Sequence, residues 1–268
     1  EVKKRLERTE IFKRELDPGI RSYERVVRAF FASQEDETLD KLNKKFSKSF
    51  KIKKDDEDDK EEFDVEFFLI DVEEENAKLK KISKEHFKRT TQKFGTQAIK
   101  QVGANVAFDL ESPEIEKFFN KWSASKVSGI NRTTEQQLRE TLEEGRRNGE
   151  DFDQFKTRIK DVFSGPVGDA RVRNIARTEN VTWANNGRLE AYKQSGVVKK
   201  KEWVSELLPT TRDSHEEVNA TVIGINEKFH VNNRKGGVDL MDGPGDPDGS
   251  PENVCSCLCT TEPVIEDL

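Results

Sequence analysis

GDARVRNIARTENVTWANNGRLEAYKQSGVVKKKEWVSEL, residues 168–207, holds the change of texture on which the fold class turns. Up to Ser195 the stretch predicts one long helix, and Gly196 supplies the residue type that ends helices. Beyond it the period changes. KKKEWVSEL (199–207) alternates, and TVIGINEKFHV (221–231) is rich in β-branched and aromatic residues, with Asn226-Glu227 as a turn. Residues 234–251 read as an irregular Gly/Pro loop, and VCSCLCTTEPVI (254–265) as a closing strand. Upstream, apart from a charged linker, the chain reads as helix. The expectation is an α+β protein: an elongated, mostly helical body followed by a small C-terminal β-rich module. Three segments follow from this: an N-terminal helical arm with a charged linker (1–62), a helical body (63–196) and the β-rich module (197–268).

Working upstream, Asp151 with Gln154 and Thr133 with Gln136 each fit a capping box, and RRNG (146–149) ends a helix between them. Phe152, Phe155, Ile159, Val162 and Phe163 share one face of the helix after Asp151. Ser112-Pro113 starts another, with Ile115, Phe118, Phe119 and Trp122 on its apolar side. FFLI (67–70) precedes a helix from about Asp71 to Val102, with Leu79, Ile82, Phe87, Ile99 and Val102 as buried candidates and His86 as a partly buried core residue. Residues 1–48 read as helix broken at Asp17-Pro18-Gly19. Its face of Ile20, Tyr23, Val27, Phe30 and Phe31 needs a partner surface, which makes Tyr23, Val27, Phe30 and Phe31 candidates for docking to another chain. Residues 51–62 have almost nothing to bury and read as a linker or exposed loop.

Composition agrees with long, solvated helices. Charged residues make up 37% of the 268 and apolar ones only 32%, so a single large core is not expected. A net charge of −6 with both signs interspersed argues against strong sequence-independent binding to duplex DNA. The run Lys199-Lys200-Lys201 reads as a solvated strand edge. No apolar stretch approaches a membrane span and no secretory leader is present. The chain starts at Glu1 rather than Met, as a trimmed chain or a piece of a longer one would.

Residues able to carry chemistry are few. Arg177, Glu179, Thr182 and Asn186 form a polar stripe on the long helix, for which the simplest reading is a solvent side. Arg212, Asp213, His215 and Glu216 fall in an apparent turn, TTRDSHEEVN (210–219), while His230 reads as structural. All three cysteines lie within Cys255–Cys259, and in an extended strand Cys255, Cys257 and Cys259 would share a face. His215 with Cys257 and Cys259 makes three ligands of a kind suited to Zn²⁺, with Cys255 or Asp213 as a fourth. Buried thiols, or a paired or free cysteine, are the competing readings. Walker, dinucleotide, nucleophile-elbow and HExxH signatures are all missing, so the expectation is no enzymatic activity, with a metal-dependent hydrolase or nuclease as the alternative.

Taken in order, the pieces resemble the phage Mu F-like head morphogenesis (minor capsid) proteins. The resemblance lies in IARTEN (175–180), NNGR (185–188), SGVVKKKEW (195–203), TRDSHEEVN (211–219), GPGD (243–246) and SCLCTTEPV (256–264). On these motifs Arg177, Thr178, Glu179, Asn186, Gly187, Arg212, Asp213, His215, Asn219, Gly245, Asp246, Cys257 and Cys259 match the family's pattern. The resemblance implies a virion protein inside the capsid near the portal, and in the host cytoplasm during assembly. Its implied partners are the portal protein and the major capsid or scaffold proteins, with packaged DNA as a weak one. Three positions depart from the pattern: Ser256 stands for Asn, Leu258 for Arg and Ala220 for Gly.

Overall fold

The computed structural model describes residues 2–52 and 64–265. Most of the acidic stretch expected as a linker, from residue 53 on, lies outside the described residues. Among the described residues six α-helices come first: α1 (Val2–Ile52), α2 (Val72–Gln101), α3 (Pro113–Trp122), α4 (Ser128–Asn148), α5 (Phe152–Phe163) and α6 (Pro166–Ser195), with a short 3-10 turn at Val65–Phe68. Strands appear only afterwards: β1 (Lys200–Val204), β2 (Val222–Gly224), β3 (Phe229–Asn232), β4 (Val238–Met241) and β5 (Thr260–Val264). Two short helices, α7 (Asp213–Val218) and α8 (Pro251–Val254), lie among them. The fold class is α+β, as expected.

The residues sort into two compact units that interleave along the chain rather than following it in three consecutive segments. One comprises Glu1–Glu24, Ile82–Ser125 and Arg173–Leu268; the other Arg25–Lys81 and Lys126–Val172. The helices are too long to belong to one core each, so segments distant in sequence complete each core.

In the first unit α1 does not break at Pro18. A proline inside a helix costs about 3 kcal/mol through its missing N–H and its clash with the preceding turn. Packing on both sides of it offsets that cost: Phe12 and Leu16 are buried with Phe94, Val181 and Ala184, and Ile20 packs alongside. Gly19 allows a close approach, since a Cβ there would lie 2.7 Å from Asn180 Oδ1. Tyr23 is fully buried, with its hydroxyl 2.6 Å from Ser83 Oγ and its ring 4.8 Å from that of Trp183. It is core, not a docking residue. Along α2, Leu79, Phe87 and Ile99 are buried as expected, whereas Ile82 is exposed because it falls off the stripe.

The second unit buries Val27, Phe30 and Phe31. Phe31 meets Phe163 edge-on, and the Arg171 guanidinium lies 4.9 Å from its ring. The surface they need is therefore supplied within the chain, and the docking expectation for these residues is corrected. Gln34 donates to Glu75 Oε2 (2.7 Å) and Asn131 Oδ1 (3.2 Å), an internal polar group with all three residues buried. The Asp151 capping box forms with both hydrogen bonds, and Gly149 takes the left-handed conformation at the end of α4. The Thr133 box does not form. A π-helical turn (Ser123–Val127) carries α3 directly into α4, so Thr133 is interior and its hydroxyl donates back to Gly129 O.

The strands form a three-stranded antiparallel sheet, β2-β1-β5, and a two-stranded one, β3-β4. β1 is central, with Trp203 opposite Thr261 and Lys201 opposite Ile223 and Pro263. Lys201 is thus no edge residue. It is fully buried, its Nζ donates to Asp242 O at 2.9 Å, and burial lowers its pKa to about 8. The loop expected over 234–251 is shorter than expected, because β4 pairs with β3 through Phe229–Met241 to Asn232–Val238. Between the sheets Trp203, Val218, Phe229, Val231, Met241 and Val254 form a core with Cys257 and Cys259.

Candidate functional site

The middle of α6 is buried almost all round: Thr178, Glu179, Asn180, Thr182 and Asn185 are all under 6% exposed. The solvent-side reading of this stripe is overturned. Several of its polar groups bond partners from other parts of the chain. Trp122 Nε1 donates to Glu179. Thr182 Oγ1 donates to Gly245 O at 2.9 Å. Thr178 Oγ1 accepts the Ser256 N–H at 2.9 Å. Asn185, which sequence reasoning passed over, makes three bonds: its Nδ2 donates to Cys259 O (3.0 Å), and its Oδ1 accepts from Thr260 Oγ1 (3.0 Å) and Thr261 N (3.2 Å). Arg188 follows one turn later, donating to Thr261 O and pairing with the buried Glu262. An asparagine inside a helix is a weak sequence signal, and only the strand beside it reveals its use.

Glycines set the distances. A Cβ on Gly187 would lie 2.5 Å from Thr91 O, so α6 could not approach α2 as closely with any larger residue. Gly245 has φ +81° and leaves room for Thr182. Asp246 fixes the loop after β4 by accepting the Asp242 and Asp248 N–H groups, and burial raises its carboxyl pKa. Asn186 borders a cavity of about 200 Å³ that Lys117, Lys121, Thr182, Gly245 and Asp246 also line. Its Oδ1 and the Nε of Arg177 are buried with no hydrogen-bond partner among the described residues.

The segment expected as a turn over 210–219 is helix α7, and it buries His215 at 1% exposure. Arg212 precedes it and donates to Cys255 O. Asp213 is exposed on the far side. Asn219 Oδ1 accepts the Ser205 N–H at 2.9 Å, and Ser205 Oγ in turn donates to His215 O. The cysteines do not lie on a strand. β5 begins only at Thr260, and Ser256 (φ +56°) turns the chain so that Cys257 and Cys259 face inward. His215 Nδ1 stands 3.6 Å from Cys257 Sγ and 3.4 Å from Cys259 Sγ. All three ligand atoms lie within 4.8 Å of one another, and neither Cys255 nor Asp213 joins the cluster. The Trp203 ring meets the imidazole edge-on at 5.3 Å. The hydrogen bond from the Cys257 thiol, with His215 beside it, pulls the Cys259 pKa well down. That bond and burial push Cys257 well up.

Residues 136–262, which contain α6, the β strands and this cluster, match the family model for Phage Mu protein F like protein. This region is Mu F-like. The family is one of structural head morphogenesis proteins. A relative, uncharacterized protein YqbB of Bacillus subtilis (strain 168), is 27% identical over 194 residues, covering 68% of this chain. The chain spans 61% of that relative's length. No solved structure matches. Within the Mu F-like region, Thr178, Thr182 and Asn185 bind α6 to the last loops. Of the three positions expected to depart from the family pattern, Ala220 and Ser256 sit at left-handed φ values of +63° and +56°, which favour the expected Gly and Asn, and Leu258 packs against the Phe12–Leu16 core.

Proposed function

We propose that this chain is a minor structural protein of a tailed-phage head, associating with the portal during procapsid assembly, packaging or ejection. One observation carries the reading. In the Mu F-like region, Thr178, Thr182, Asn185 and Asn219 lock backbone in place, which suits a rigid assembly part. The hydrolase reading finds no support, because His215, Cys257 and Cys259 are at most 2% exposed and line neither of the described cavities. Among the described residues no helix is long and apolar enough to cross a membrane.

Portal contact needs a surface other than Tyr23–Phe31. Val222 on β2 and Val238 and Leu240 on β4 are the exposed apolar side chains of the strands, at 45%, 52% and 50%. They replace the earlier candidates. The test is co-expression with the portal, capsid and scaffold proteins of the phage that encodes this chain. Purified procapsids are then assayed for the chain and for its ratio to portal. The expected result is a fixed, low ratio that Val238→Glu with Leu240→Glu lowers. Procapsids that exclude the wild-type chain would overturn the proposal. A mobility-shift assay at two salt concentrations checks the DNA partner, for which weak, salt-sensitive binding is expected.

A further inference from the structure

We propose that His215, Cys257 and Cys259 bind one Zn²⁺ that clasps α7 to the turn leading into β5. The argument starts from the nitrogen. Nδ1 has one proton or one lone pair, so it can direct a hydrogen bond to only one of the two sulfurs that converge on it. Yet both lie close, at 3.6 and 3.4 Å. With Zn–S near 2.3 Å and Zn–N near 2.05 Å at tetrahedral angles, sulfur and nitrogen bound to one zinc sit about 3.5 Å apart. The observed separations match that edge, and one ion satisfies all three atoms at once.

Charge balance points the same way. The two thiols release their protons to solvent as the metal enters, and two thiolates with a neutral imidazole then cancel the divalent charge. A net-neutral cluster suits a site whose three side chains are all buried and packed among Trp203, Val218 and Met241. Burial also determines the role. The three ligands are at most 2% exposed and line neither of the described cavities, so the site is a clasp rather than a reaction centre, with water as the fourth ligand. The donors are two soft thiolates and an imidazole, a set that suits zinc and disfavours magnesium or calcium.

The clasp joins parts of the chain that local structure would not hold together. α7 has only six residues, too few for a helix to be stable by itself. Ser256 holds a left-handed conformation that a serine adopts at a cost. A metal bound between them offsets both.

The test uses the full chain, purified without chelator, with zinc measured by plasma mass spectrometry against protein concentration. About one zinc per chain is expected. Exchange for cobalt should produce sulfur-to-metal charge-transfer absorption and the strong visible bands of tetrahedral coordination. Cys259→Ser should reduce retained metal roughly tenfold or more, whereas Cys255→Ser should leave it unchanged. Because Cys259→Ser could fail to fold, the wild-type readings decide. A folded wild-type chain without zinc that gives no cobalt–thiolate absorption overturns the proposal. So does a mass lower by two hydrogens from a Cys257–Cys259 disulfide. Neither result bears on entry into procapsids, which tests the head-protein reading separately.

Discussion

Asn185→Ala removes the side chain that holds the end of the chain to α6. Three bonds go, and they leave Cys259 C=O, Thr261 N–H and the Thr260 hydroxyl behind, in residues that are all 2% exposed or less. Each stranded buried group costs about 1–3 kcal/mol. Relaxation and overlap between the three reduce the sum, so a loss of about 3–5 kcal/mol is expected. Urea unfolding followed by tryptophan fluorescence measures it selectively. All three tryptophans, Trp122, Trp183 and Trp203, are fully buried in the unit that contains Asn185. With a urea slope of about 2 kcal/mol/M, the midpoint should fall by roughly 1.5–2.5 M. Asn185→Asp keeps the acceptor, but loses the donor and buries a charge beside Cys259 C=O, so it should be no milder. A folded Asn185→Ala chain whose midpoint moves by less than about 0.5 M would show that these bonds do not hold the segment.

Lys201 should make stability rise with pH. Its pKa is lowered to about 8 from 10.5, so between these values the folded chain binds fewer protons than the unfolded one and gains stability as pH increases. Lys201→Met should stabilise by about 1–2 kcal/mol at pH 7, after the lost bond to Asp242 O is counted, and the gain should shrink towards pH 10; denaturation at both pH values checks it. Asp239 behaves in the acid range: hydrogen bonds from Ser250, Asn233 and Asn253 outweigh burial and hold its pKa at about 2. Its contribution is present above the usual 3.8 and should disappear as pH falls to 2, and acid titration of Asp239→Asn against wild type should show the variant lacking that step. Ala220→Gly relieves a residue at φ +63° and should raise the melting temperature, by about 0.5–1 kcal/mol of stability.

What could be read from the sequence followed local rules. Gly196 ends α6, Gly149 ends α4, and Asp151 with Gln154 caps α5, because these devices act within four residues. The grouping of His215 with Cys257 and Cys259 was also legible, since few residue types suit such chemistry. Long-range burial was not. Tyr23–Phe31 reads as an unpartnered stripe until Trp183 and Phe163 arrive from far along the chain. Pro18 reads as a break until Phe94 and Val181 cover the turns around it. Lys201 reads as solvated until two other strands flank it. The Cys-x-Cys spacing suggested a strand, whereas the left-handed Ser256 makes it a turn.

The central position of β1 also sets a timetable. Its neighbours are β2, a short way downstream, and β5, which ends at Val264. Phe12 and Leu16, made early in synthesis, pack on residues near Val181, and Asn185 waits for Cys259 to Thr261. Contacts this distant in sequence close slowly. On a translating ribosome, the unit containing β1 therefore cannot seal until residues 260–264 have emerged. Until then the β5 side of β1 and the polar groups of Asn185 stay open to chaperones and to neighbouring copies on the same message.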